Sequence, residues 1–184
     1  MQVDLDGAIR IARLAADFHW TWSEGDLERF CNRAGWKVID SWRLGTSFQT
    51  DLKVSIPKAH AQVDDGVVRV MADAGETVKW IGVWVADTAD DDEDDAGTIA
   101  SRAQLVRAFE QLRGRICSEL GAPVDDETDN DPAGETDDSA PEVSWTSGNA
   151  VITLLLSDEV VVLQLTNPLY REWTKDSDDG GYED

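Results

Sequence analysis

From Trp36 onward the hydrophobic pattern of this chain repeats every second residue, and it does so in consecutive runs. In "SFQTDLKVSI", Phe48, Leu52, Val54 and Ile56 alternate with Gln49, Asp51, Lys53 and Ser55. In "WKVIDSWRL", Trp36, Val38, Trp42 and Leu44 fall on one face. Such alternation predicts strands with one buried face each, the pattern of antiparallel pairing. "AHAQV" and "VVRVMA" flank Asp64–Asp65–Gly66, a strong hairpin signal. "GETVKWIGVWVAD" is apolar on both faces and reads as a central strand, with Gly82 marking a bulge or a close contact. "EVSWTS", "NAVITLLLS" and "EVVVLQLT" continue the theme, and the last two predict a hairpin about Ser157 and Asp158.

Helical periodicity is confined to three places. Leu5, Ile9, Ala12 and Ala16 form a stripe that Ile11, Leu14 and Phe18 widen, with Asp4 or Asp6 as cap. Leu27, Phe30, Cys31 and Ala34 form a second stripe, opened by Ser23 and Asp26 as a loose capping box and stopped at Gly35. Leu105, Phe109, Leu112, Ile116 and Leu120 line the longest helix, which opens at Thr98 or Ser101 and ends at Gly121 and Pro123. "NPLYREW" predicts a short closing helix. Strands in runs, not alternating with helices, predict α+β: one antiparallel or mixed sheet of about seven or eight strands, three helices over one face. One domain is expected over 1–173, with acidic loops at 86–97 and 122–141 and a disordered acidic tail at 174–184.

The acidic loops dominate the charge. "ADTADDDEDDAGT" (86–98) holds seven carboxylates and no base, and the net charge of the 184 residues is −22. That balance argues against nucleic acid or an anionic membrane as partner, since both need a basic footprint. It favours solubility or a basic partner. No apolar run approaches the roughly 20 residues that span a bilayer, and the start lacks a basic leader, so a cytoplasmic protein is expected. Cys31 and Cys117 each fall in a predicted helix and read as buried thiols in a reducing compartment.

The acidic runs do not read as calcium loops. An EF-hand begun at Asp92 places Ala96 and Ala103 at positions that need oxygen ligands, and one begun at Asp129 places Ala133 and Ala140 there. No metal and no cofactor are expected. The runs read as solvated loops that can also steer a basic partner. No nucleophile elbow, zinc motif or phosphate loop occurs. His19 and His60 read as structural, because a catalytic histidine needs a positioned partner. The chain is therefore expected to bind and not to catalyse.

Eight tryptophans are spread over nearly every element. Core packing is the expectation for Trp20, Trp36 and Trp80, whereas Trp145 and Trp84 are the candidates for exposure, as tryptophan anchors interfaces. The expected partner-binding residues are Asp64, Asp65 and Gly66, Trp84, Asp91, Asp92, Glu93, Asp94 and Asp95, and Trp145 with Ser147, Gly148 and Asn149.

The stretch "GAIRIARLAADFHWTWSEGDLERFCNRAGWKV", with "FHWTWS" before a short helix ending in "AGW", resembles actinobacterial immunity proteins associated with type VII secreted polymorphic toxins. "VVVLQLTNPLYREW" resembles the closing strand and helix of such proteins. The resemblance implies a cytoplasmic inhibitor that binds a cognate toxin with a basic cleft, as a monomer in a 1:1 complex, and occludes its active site. An NAD-degrading glycohydrolase of the necrotizing-toxin kind is the implied target. A nuclease toxin is the alternative target, and a chaperone for a type VII export substrate the alternative role. An enzyme of unfamiliar type would instead show a shifted carboxylate or His60 in a pocket.

Overall fold

A computed structural model describes residues 2–42, 45–63, 77–87, 95–126 and 141–172, with backbone only at 95–101 and 126. The elements run β1 (Gln2–Val3), α1 (Leu5–Asp17), α2 (Glu24–Ala34), β2 (Lys37–Trp42), β3 (Gly45–Gln49), β4 (Lys58–Val63) and β5 (Val78–Asp87). Then follow α3 (Asp95–Leu120), β6 (Asp125–Asp126), β7 (Glu142–Ser147), β8 (Ala150–Leu156) and β9 (Val160–Thr166). A helical turn at 168–172 closes the described chain. The fold is α+β, and every strand pairing is antiparallel, in the order β2-β3-β4-β5-β9-β8-β7-β6. β1 pairs with the end of β5, at Asp87 and Ala86, beyond the point where β4 stops. β5 is central, as its two apolar faces predicted, and β8 and β9 form the expected hairpin. Among the described residues no helix is long and apolar enough to cross a membrane.

The register sorts side chains into alternate cross-strand rows. Phe48, Ala59, Val83, Leu163, Leu154 and Val143 lie side by side across six strands, and all are buried. So are Ala61, Ile81, Leu165, Ile152 and Trp145 in the next row on the same face. The helices cover these rows. Ala8, Ile11, Ala12 and Ala15 of α1 join Leu105, Phe109, Leu112 and Ile116 of α3 in one core. α2 adds Leu27, Phe30 and Cys31 at the β3 side, where Phe30 meets Trp36 and Trp36 meets Phe48.

Caps fall where short polar residues allow. The Asp4 carboxylate accepts from the Gly7 N–H at 2.9 Å at the start of α1. Gly35 takes the left-handed conformation (φ 77°) that ends α2. The expected Ser23–Asp26 box is shifted, since Asp26 accepts from the backbone and hydroxyl of Thr21 and not from Ser23. Burial works against the Asp26 charge, but the Thr21 bonds and the paired Arg29 outweigh it and hold the carboxyl below its ordinary value. α3 begins at Asp95, earlier than Thr98, so its first turn takes in the end of the expected acidic loop.

Two strand expectations are corrected. The run Phe48–Ile56 is a strand only to Gln49. Beyond it Thr50, Leu52 and Val54 are still buried alternately, but the Thr50 N–H donates to the Pro57 carbonyl at 2.8 Å, and the N–H groups of Lys53, Ser55 and Ile56 go to carboxylates and not to a neighbouring strand. The buried Asp87 accepts from the N–H groups of Ser55 (3.2 Å) and Ile56 (2.7 Å), and Asp4 accepts from Lys53 at 2.9 Å. β2 has no buried face: all six of its residues are exposed, and only the preceding Trp36 enters the core. The helical layer ends over Trp36 and Phe48, and no described helix lies over β2. Leu44, the Asp64–Gly66 hairpin and "VVRVMA" lie outside the described residues.

Candidate functional site

Among the described residues, the other face of the sheet carries no helix longer than the 168–172 turn. Its middle row is polar: Ser47, His60, Gly82, Gln164, Thr153 and Ser144 follow one another across six strands. Cross-strand hydrogen bonds knit its two ends, Ser47 Oγ with His60 Nδ1 at 2.8 Å and Ser144 Oγ with Thr153 Oγ1 at 2.9 Å. At the β7 end this face is closed by Arg171 of the terminal turn, which pairs with Asp125 at 2.8 Å and with Glu142 at 3.7 Å.

At the β2 end the face is aromatic and open. Trp42 lies edge-on to His60 at 6.4 Å, and His60 edge-on to Trp84 at 5.7 Å. Trp42 is 50% exposed, and His60, Trp80 and Trp84 are half-buried. Glycines make room for these rings. A Cβ at Gly82 would lie 3.2 Å from Cζ3 of Trp80, and one at Gly45 would lie 2.9 Å from Trp42 and 2.6 Å from the Ala61 carbonyl. The expected close contact at Gly82 is thus real, and it is made with an aromatic ring. The two bulges that involve β5 lie elsewhere, at Gln62/Val63 and at Trp84/Ala86.

The rings of this strip carry no formal charge, although Asp40 and Lys37 of β2 share the face. Burial, and then the charge of Lys58, push the His60 pKa down and favour the uncharged imidazole. Indole faces beside a neutral imidazole accept apolar groups or the cations of Arg and Lys. Ser47 and His60 are within the reach of a nucleophile and its base. β3 lies between β2 and β4, so its own backbone N–H groups serve the two ladders. Among the described residues no three His, Cys, Asp or Glu side chains gather as a metal site would require. Cys31 is buried, with its thiol pushed up to about 12, and Cys117 is half-buried.

Of the expected binding residues, Trp84 is brought into this strip. Trp145 is corrected: it is 1% exposed, in the helix-covered core, with Nε1 donating to the Gly121 carbonyl at 3.1 Å. Its partner in register, Ile152, shows why, because both point under the helices. Ser147, Gly148 and Asn149 form the β7–β8 turn, about 127 residues in sequence from Trp22 but in contact with it. The Asn149 carbonyl accepts from Trp22 Nε1 at 2.6 Å, and its amide donates to the Trp20 carbonyl at 3.1 Å. Asp64, Asp65, Gly66, Asp91, Asp92, Glu93 and Asp94 lie outside the described residues, as does the side chain of Asp95. Trp42 was missed as a surface residue, and Trp80 was expected in the core. The available signal was a glycine two or three positions after each tryptophan, "WIG" and "WRLG".

Residues 6–167 match the model of a family of unknown function, DUF6301. The chain belongs to this family. No curated protein and no solved structure matches it. The DUF6301 match runs from α1 to just past β9, so it includes the whole aromatic strip and stops before the 168–172 turn.

Proposed function

We propose that the chain is a cytoplasmic inhibitor that binds a secreted toxin 1:1 and occludes its active site. The observation that carries the binding reading is the uncovered Trp42–His60–Trp84 strip on a chain of net charge −22. Aromatic residues on an open surface supply interface energy. Excess negative charge draws in a basic cleft and speeds encounter. The resemblance to toxin-associated immunity proteins supports the choice of partner, and it bears on architecture. Of the motif "FHWTWS", Phe18, Trp20 and Trp22 are buried and build the fold, while His19, Thr21 and Ser23 are exposed. The target is an NAD-degrading hydrolase in this reading; a nuclease would suit the same charge.

The test is recovery of tagged chain from its native host at two salt concentrations, with partners identified by mass spectrometry. One stoichiometric protein carrying a toxin domain, held at the higher salt, is the expected result. Its activity should fall when the chain is added and return when Trp42 and Trp84 are both changed to Ser. A mixture of basic proteins released together by salt would overturn the proposal, as charge alone would then explain the binding.

A further inference from the structure

The strip ends at a strand edge that no described strand occupies. Among the described residues β2 is the outermost strand, it is six residues long, and nothing pairs with its outer side, while the Ser41 N–H donates to the Asp40 carboxylate at 2.9 Å. Proteins commonly blunt such an edge with proline, shortness, a cover, charges or a bulge. β2 carries Lys37, Asp40 and a bulge between Val38 and Asp40, but it has no proline and keeps six residues, against two in the opposite edge strand, β6. The exposed apolar surface is concentrated here: Val38 is 64% exposed, Ile39 51% and Trp42 50%.

We infer that β2 takes an extended segment of a partner protein as an added strand, one with apolar residues alternating with basic ones. The inference rests on the binding reading above and names its mode. Main-chain pairing would give affinity, and alternate side chains would give selectivity. The register sets what those side chains are. Val38 stands opposite Phe48 and so faces the helical side, where the incoming strand meets hydrocarbon. Asp40 stands opposite Ser47, and Trp42 opposite Gly45, so both face the open side. An incoming Arg or Lys on that side meets a carboxylate at one position and an indole face at the other. Lys37 also faces the open side and excludes a third basic residue at that end of the strand. A second copy of this chain is disfavoured as the guest, because each copy brings a charge of −22.

The experiment is backbone amide exchange at Val38–Trp42 of the full chain, with and without synthetic five-residue peptides. The probes are an alternating Val-Arg peptide, an alternating Val-Glu peptide, and a Val-Arg peptide of the same composition in two blocks. The alternating Val-Arg peptide should slow exchange about tenfold or more at these amides, and the other two should not. Asp40→Lys, an exposed change, should move the preference toward the Val-Glu peptide. Equal protection by the blocked peptide would overturn the inference, since attraction would then be charge without strand pairing. Binding that leaves the β2 amides unprotected would overturn it as well. So would amides protected before any peptide is added: protection independent of concentration means the chain covers its own edge, and protection rising with concentration means a second copy does. These outcomes leave the toxin proposal standing or falling on its own recovery experiment, which does not depend on where the partner docks.

Discussion

The two faces of the sheet use the same residue type to opposite ends. On the covered face Phe18, Trp20, Trp22, Phe30, Trp36 and Phe48 form a continuous series of ring contacts, from 4.4 Å between Trp20 and Trp22 to 6.2 Å between Trp36 and Phe48. All six rings are buried. On the open face Trp42 and Trp84 flank one imidazole, with Trp80 two residues from Gly82 on the same strand, and water reaches each of them. Composition does not separate the two groups. What separates them is register, plus the distance that the helical layer extends over the strands. The polar ends of the buried rings show the same difference. Trp20 Nε1 donates to Ala15 and Trp22 Nε1 to Asn149, as buried indoles usually do, while the buried Trp36 Nε1 has no partner; the open-face rings can leave that duty to water.

The sharpest way to break the comparison is to truncate one ring from each face. Trp22→Ala removes a fully buried ring, a stack on Trp20 and the tie to the β7–β8 turn, and should cost about 3–5 kcal/mol. Trp22 also holds a positive φ of 59°, and alanine does not relieve it, because the strain comes from the Cβ that both residues carry. Trp42→Ala should cost less than about 1 kcal/mol, as surface changes do. Urea unfolding of both variants measures the difference. Equal losses would mean that the open strip is a second core, and the binding proposal would lose its surface.

A smaller effect probes how the covered side holds its loop. Asp87 lies at the end of β5, 1% exposed, and ties residues 55 and 56 to the sheet. Asp87→Ala leaves two N–H groups without their acceptor and should cost about 2–3 kcal/mol. Faster amide exchange at Ser55 and Ile56 should accompany the loss. If stability falls without that local opening, the carboxylate acts on the sheet and not on the loop.

How much of this was legible in the sequence follows from which forces are local. The three helices, the central β5 and the β8–β9 hairpin were readable because period and caps are properties of neighbouring residues. The segment after Gln49 misled because burial alternates there as in a strand while its hydrogen bonds go to Asp4 and Asp87, distant acids that no local pattern announces. Trp145 misled for a related reason: its face is set by pairing with Ile152, and strand period alone does not say which face lies under the helices. The candidate site was half readable. Trp84 was singled out, but its grouping with Trp42 and His60 is a product of register across β2, β3, β4 and β5.

The smallest expected effect concerns His60, and it sharpens the comparison by asking how dry the open strip is. Burial is the larger cause of its lowered pKa, with Lys58 second. A base whose pKa is lower folded than unfolded binds its proton more readily in the unfolded chain. His60 should therefore cost nothing above the ordinary histidine value near about 6.5. Its contribution to stability should be lost as pH falls from there through the lower folded value. The overall charge acts in the opposite direction, since protonating carboxylates relieves self-repulsion. That term is common to the parent and to His60→Gln, so the difference between their urea midpoints isolates the imidazole. The parent should lose ground to the variant as pH falls from about 7.5 to about 5, the range in which histidine titrates. A gap that does not change with pH would mean that water solvates the ring fully, and that Trp42 and Trp84 do not shield it. Lys58→Met then divides the cause: if the NMR titration midpoint of His60 rises only part of the way, burial between the two indoles accounts for the rest.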